Sequence, residues 1–265
     1  MTLWLIGYVA LGAVAGFFAG LLGIGGGAIM VPVLALMFVA QGFPETQLMH
    51  LALGTSMAAI IFTSISSLRA HHSHGAVRWP IVRIITPGII VGTFLGAQLA
   101  SLIPTRPLAI FFTVFMSYVA FQMLANIKPK PSRQLPGTAG MFVVGNGIGA
   151  ISALVAIGGG SLSVPFMTWC NVKMHEAIGT SAAIGLPIAV AGTLGYLAGG
   201  WGASDLPPWS FGYIYLPALA ACVVASMLTA PFGAKAAHSL PVATLKKIFA
   251  GVILLLLAKM VHGLF

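Results

Sequence analysis

The stretch LLGIGGGAIMVPVL, residues 21 to 34, lies within a run of 44 residues that carries no Asp, Glu, Lys or Arg. A helix needs about 20 apolar residues to cross the hydrocarbon core, so the run is about twice what one span requires. The interruption is GIGGG at 23 to 27. Each of three adjacent glycines disfavours helix by roughly 1 kcal/mol relative to alanine. Val31-Pro32 follows where proline is tolerated, in the first turns of a new helix. The run therefore reads as two helical pieces joined by a glycine break, either a re-entrant hairpin or two short spans.

The same arrangement recurs. Gly25, Gly26, Gly27, Val31 and Pro32 return as Gly158, Gly159, Gly160, Val164 and Pro165, shifted by 133, and Gly12 and Gly16 return as Gly145 and Gly149. MHLALGTSMA at 49 to 58 matches MHEAIGTSAA at 174 to 183 at seven of ten positions. A third block pairs Gly96, Ala97, Ala100, Pro104 and Leu108 with Gly233, Ala234, Ala237, Pro241 and Leu245, shifted by 137. Three blocks in the same order make an internal duplication. The second copy departs at Ala156, which stands where the first has Leu22-Gly23. Between the copies, KPKPSRQLPG at 128 to 137 carries prolines and charges that cannot lie in hydrocarbon as a helix. The domains read as a first transmembrane repeat over 1–127, a cytoplasmic linker over 128–137 and a second repeat over 138–265.

Composition places both copies in a bilayer. Of 265 residues, 59% are hydrophobic and 6% are charged, against about 25% charged in a soluble domain. The expected fold is an all-α polytopic membrane protein. Helices are expected at 3–22, 28–40, 47–67, 81–102, 107–126, 139–156, 161–171, 176–198, 211–233 and 246–264. The N-terminus lacks the basic region of a secretory signal and reads as a retained span. The net charge of +9 is scattered between apolar spans, which argues against nucleic acid as a partner. Cys170 and Cys222 have no CxxC spacing and indicate neither a disulfide framework nor zinc. The HHSH run at 71 to 74, between Arg69 and Arg78, reads as a basic loop in preference to a metal site. No cofactor is indicated.

The basic residues also decide the threading. If each leading run enters and returns, one face receives Arg69, Arg78, Arg83, Lys128, Lys130, Arg133, Lys173, Lys235, Lys246 and Lys247, and the other only Arg106 and Lys259. If each leader crosses once, the twelve divide seven against five. The positive-inside rule selects the first. A hairpin plus three spans returns the chain to the opposite face, so the second copy enters inverted. Inverted repeats hold substrate at their interface near the midplane, where broken helices end.

The candidate substrate site is therefore the pair of breaks, Gly25, Gly26, Gly27 and Ala28 with Gly158, Gly159, Gly160 and Ser161. A helix start offers unpaired NH groups and about half a positive charge, which suits an anion. Thr55 and Ser56, with Thr180 and Ser181, add hydroxyl donors without charge, or bond back to their own helices. His50 and His175, at matched positions, can contact substrate or a proton, or anchor the interface. Close helix packing is the alternative role of the glycines, and the Gly12–Gly16 and Gly145–Gly149 spacings suit it. The only acids, Glu45, Glu176 and Asp205, fall in loops or at helix ends, so no carboxylate is available at the membrane centre to bind sodium or relay protons.

LGIGGGAIMVPVL at 22 to 34, AIGGGSLSVPF at 156 to 166 and the duplicated GTS resemble the sulfite exporter TauE/SafE family. HGAVRW at 74 to 79 and LGAQLASLIP at 95 to 104 are similar to further segments of that family, so the resemblance covers nearly the whole chain. It implies a permease of the bacterial inner membrane whose substrates are sulfite, sulfonates such as taurine or sulfoacetate, and other organic anions. The partners expected are a small anion and the lipid bilayer. The function expected is anion export by alternating access. The alternatives are transport of another solute, such as a divalent metal cation, and a membrane-embedded enzyme or assembly factor. The latter lacks a carboxylate-supported catalytic constellation.

Overall fold

The computed structural model of the chain describes residues 2–22, 25–125, 132–239 and 242–264. Among them are ten α-helices: α1 Thr2–Leu22, α2 Gly27–Ala40, α3 Leu48–Ser73, α4 Trp79–Leu102, α5 Thr105–Leu124, α6 Thr138–Val155, α7 Gly160–Trp169, α8 Met174–Gly199, α9 Leu216–Ser239 and α10 Val242–Leu264. Seven helices are long and apolar enough to cross a membrane. The chain is a multi-pass α-helical membrane protein. Side chains such as Leu3, Leu102, Val114, Phe121, Val143, Leu228 and Phe232 stand exposed on its outer helices, an arrangement that lipid tolerates and water does not. Trp201 and Trp209 are exposed in the loop between α8 and α9, as interfacial anchors are.

The leading run is broken where its glycines lie, and α2 folds back along α1. A methyl group on Gly7 would sit 2.7 Å from the end of Met37, and one on Gly26 3.0 Å from the Ala15 carbonyl oxygen. Residue numbers rise on one helix as they fall on the other, so the pair is antiparallel.

α1 packs along α9, α4 along α6, and α3 against α8. Small residues set the first two contacts, because backbones approach closely where side chains are absent. Gly12 and Gly16 abut the main chain of Cys222 and Ser226, and Gly145 and Gly149 abut that of Ile85 and Ile89. Gly96 meets Ala150 as Gly233 meets Phe17. Each contact maps onto its counterpart by the shifts of 133 and 137 read from the sequence. Both helix pairs run parallel. α3 and α8, the two most buried spans, run antiparallel: Met57 lies at Gly192 and Ser64 at Gly185.

Several boundaries differ from the expected ones, among them the end of α9 at Ser239 and not 233 and the start of α10 at Val242 and not 246. α3 continues beyond 67 to Ser73, so His71 and His72 lie in its last turn. Nothing in SSLRAHHS breaks a helix. It stops at Gly75, φ +67, where the NH groups of Gly75 and Ala76 return to the carbonyls of His72 and His71 at 3.0 and 3.1 Å, a left-handed glycine cap. α9 starts at Leu216 and not at 211, because Ser210–Phe211 (β1) and Ile214–Tyr215 (β2) pair in a short antiparallel hairpin. The helices after the breaks begin at Gly27 and Gly160, one residue before Ala28 and Ser161.

Gly23, Lys128, Lys130 and Pro241 lie outside the described residues. The end of the linker docks on α7. The NH groups of Ser132 and Arg133 each donate to the Trp169 carbonyl at 3.2 Å, and Trp169 Nε1 donates to Ser132 Oγ at 2.8 Å.

Candidate functional site

Each break ends in a left-handed glycine that starts the next helix. Gly26 has φ +78 and Gly159 φ +82, a region that costs other residues roughly 1–2 kcal/mol. The Gly26 carbonyl accepts from the NH groups of Ile29 and Met30 at 3.2 and 3.1 Å, and the Gly159 carbonyl from Leu162 and Ser163 at 3.1 and 2.8 Å. Neither start has a side-chain cap. The NH groups of Gly27, Ala28, Gly160 and Ser161 therefore precede the first helical acceptor, and they carry the positive end of the helix dipole.

The two breaks touch. A methyl group on Gly25 would lie 3.2 Å from Gly158 Cα, and one on Gly27 would run into the Ala156 carbonyl oxygen. Ala156 itself is left-handed at φ 46 and closes α6, with the Ile157 NH donating to the Ser152 carbonyl at 3.2 Å. At the meeting point Gly25, Gly158, Ala182 and Gly185 line a cavity together with Thr63, Ser64 and Ser67 of α3. Its volume is about 10 Å³, room for roughly one water. Thr63 Oγ1 donates to the carbonyls of Gly25 at 3.3 Å and Ile60 at 3.1 Å, which ties α3 to the break. A larger cavity of about 210 Å³ lies elsewhere, lined by Glu45, Thr105 and Arg106. It shares no residue with the breaks.

The GTS residues sit on the central pair but reach in different directions. Thr55 Oγ1 accepts from the Tyr215 NH at 2.9 Å, and Thr180 Oγ1 from the Arg78 NH at 3.0 Å. Each threonine thus bonds the segment before a helix of the other half, and not its own helix. The adjoining glycines admit those segments: a methyl group on Gly54 would strike the Tyr213 carbonyl, and one on Gly179 would come within 2.6 Å of the Ala76 carbonyl oxygen. Ser181 Oγ lies 2.8 Å from Ser163 Oγ, whose proton also reaches the Gly159 carbonyl at 2.8 Å. Ser56 Oγ and Ser161 Oγ are buried without partners.

The matched histidines differ. His50 is buried, with Nε2 3.1 and 3.0 Å from the Ala100 and Ile103 carbonyls and its ring stacked on Tyr213. Contact with two acceptors requires the proton on Nε2. His175 is exposed at the start of α8. Neither lines the cavity at the breaks. Glu45 and Asp205 are exposed, and Glu176 pairs with Arg78 at 3.5 Å. Among the described residues no three of His, Cys, Asp or Glu converge as metal ligands would.

Thr63, Ser64 and Ser67 are the site residues that the sequence reading did not single out. Their signal was available: TSISS at 63 to 67 puts hydroxyls at helical spacing on an otherwise apolar span.

A helix bundle in which two broken helices bring their starts together is an architecture found in membrane transporters. The family model of the sulfite exporter TauE/SafE matches residues 8–260, and the chain belongs to that family. It is 39% identical over 240 residues to a probable membrane transporter protein of Haemophilus influenzae, covering 90% of this chain and 91% of that one. It is 27% identical over 238 residues to the probable membrane transporter protein YdhB of Bacillus subtilis, covering 87% and 89%. No solved structure matches the chain.

Proposed function

We propose that the protein exports small anions, sulfite or related sulfonates and organic anions, by alternating access at the junction of the two glycine breaks. The observation that carries this reading is the contact of Gly25 with Gly158. It brings the uncapped starts of α2 and α7 to one hydroxyl-lined point between α3 and α8. Such starts attract negative charge, and serine and threonine donate to it without competing charges. A cavity of about 10 Å³ admits little more than one water, so an anion enters only when α3 and α8 part. Alternating access supplies that motion.

The halves 1–127 and 138–265 are read as inverted repeats joined by the linker 128–137. The antiparallel α3 and α8, the fold-back of α2 on α1 and the contacts that repeat under the sequence shifts support this reading. A single-crossing leader would instead make α3 and α8 parallel. On this reading the positive-inside rule assigns the linker, Arg78 and Lys173 to the cytoplasm, and the family resemblance implies a bacterial inner membrane. Export needs no ion relay, because an anion leaving a negative interior gains about 2.3 kcal/mol per charge per 100 mV.

The test is flux of labelled sulfite from proteoliposomes, with and without an imposed potential, for the native chain and for Gly26→Val and Gly159→Val. The expected result is potential-driven flux in the native chain and its loss in both variants. Native flux in both variants removes the breaks as the site. Thermal stabilisation by nickel or cobalt but not by sulfite transfers the reading to a divalent metal cation.

A further inference from the structure

The surroundings of the breaks are unequal in the two directions along the central helices. Toward the C-terminal end of α3 lie Ser64 and Ser67. Ser64 is 4% exposed and lines the cavity. Ser67 Oγ is buried and unpartnered. A buried hydroxyl without a partner is costly in a protein interior, so Ser67, beside Ser64 in one cavity, marks a place where a ligand can supply the acceptor. Ile60, Ser64, Ser67 and His71 follow one another at four-, three- and four-residue steps, so they share one face of α3 from the break to its last turn.

The corresponding face of α8, shifted by 125, carries Gly185, Ala189, Gly192 and Tyr196. No hydroxyl is free there. A methyl group on Gly192 would meet the Met57 sulfur at 3.0 Å. Tyr196 is fully buried, and its hydroxyl donates to the Ala153 carbonyl at 2.9 Å. One direction from the breaks is small, polar and under-bonded, and the other is filled by a thioether and a satisfied phenol.

We infer that the substrate oxyanion travels between the breaks and the C-terminal end of α3 along the Ser64–Ser67 face, with both serines donating to its oxygens, while Met57 and Tyr196 close the opposite direction. This rests on the reading that the breaks hold an anion. Serine suits the task because it donates to an oxyanion, adds no charge that would trap it, and leaves space that a longer side chain would fill.

The experiment is sulfite flux in proteoliposomes for Ser64→Ala, Ser67→Ala, Ser64→Thr and Ser67→Thr, beside Gly26→Val. Losing a hydrogen bond to a charged group is expected to raise the KM for sulfite about tenfold in each alanine variant with maximal flux retained, and threonine is expected to restore it. A parallel measurement replaces Ser67 by cysteine in a chain carrying Cys170→Ser and Cys222→Ser. An impermeant thiosulfonate is expected to label it faster from the face where α3 ends. Unchanged KM in both alanine variants, or faster labelling from the opposite face, overturns the inference while Gly26→Val still abolishes flux. Native flux in Gly26→Val overturns the underlying reading instead.

Discussion

Gly54-Thr55 on α3 and Gly179-Thr180 on α8 make the same contact with unlike neighbours. In each, the glycine admits a carbonyl and the threonine accepts an NH two residues further on, Tyr213 and Tyr215 in one case, Ala76 and Arg78 in the other. Around the first, Tyr213 stacks on His50 at 4.9 Å, and Tyr215 meets Phe38, Phe43 and Tyr8 edge-on at 5.7, 5.1 and 6.3 Å. Around the second, Ala76 is buried but Arg78 is half-exposed beside Glu176. Aromatic clusters of the first kind bury large areas in fixed geometry, whereas an exposed ion pair contributes about 0–1 kcal/mol. The duplicated motif therefore holds two ends of one bundle with unequal strength. The weaker end is the one toward which Ser64 and Ser67 lead, so under the proposed alternating access the separation of α3 from α8 is expected to begin there.

Gly54→Val breaks this comparison most severely. Its side chain meets the main chain of Tyr213, which the aromatic cluster holds in place, and overpacking of that kind costs about 3 kcal/mol or more. Gly179→Val meets the loop before α4, whose other side faces solvent at Gly75, and is expected to cost about half as much. Thermal unfolding in detergent measures both. Equal losses would remove the inequality between the ends.

Thr55→Val and Thr180→Val sharpen it. The first strands the Tyr215 NH in a buried site, for about 1–3 kcal/mol. The second releases the NH of half-exposed Arg78, which water can serve, for less than about 1 kcal/mol. The expected midpoint shift is a few degrees for Thr55→Val and about a third of that for Thr180→Val. In both, sulfite KM stays near native, because neither threonine lines the cavity at the breaks.

These pairings also mark how far the sequence could be read. The breaks were legible because the uncharged runs are too long for one span, and the packing of Gly12 on Cys222 and of Gly145 on Ile85 follows the shifts that the duplication fixes. The partners of Thr55 and Thr180 were not legible, since they lie 160 and 102 residues away and nothing local announces them. The end of α3 was misplaced because polar residues there resemble a loop, while the stop is a left-handed Gly75 beyond them. The matched His50 and His175 looked equivalent, yet the presence of Tyr213 beside only the first separates them.

Tyr196→Phe probes the closed direction with a smaller change. It removes the bond to the Ala153 carbonyl but keeps the ring, and is expected to lower stability by about 1 kcal/mol. Because the ring still fills its place, the sulfite leak in the absence of a potential stays at the native level. Tyr196→Ala, which empties that place, is expected to raise the leak several-fold. A leak unchanged in Tyr196→Ala, in protein that still elutes as the native chain does, would assign the seal to Met57 alone.

The smallest expected effect belongs to the weaker end itself. Arg78→Gln removes a pair at 3.5 Å whose side chains are 51% and 24% exposed, so stability should fall by no more than about 1 kcal/mol, and less at high salt. Its functional consequence is predicted to exceed its thermodynamic one. Under the proposed alternating access this pair is broken when α3 and α8 part at that end, so removing it is expected to favour the parted conformation. Labelling of Ser67→Cys by an impermeant thiol reagent should therefore quicken about three- to fivefold in the Arg78→Gln background, with the Thr55 end unaffected. The change should fade as ionic strength rises and the native pair is itself screened. Equal labelling rates with and without Arg78 at low salt would mean that the two ends separate independently of this ion pair, and would leave the aromatic cluster as the only difference between them that bears on motion.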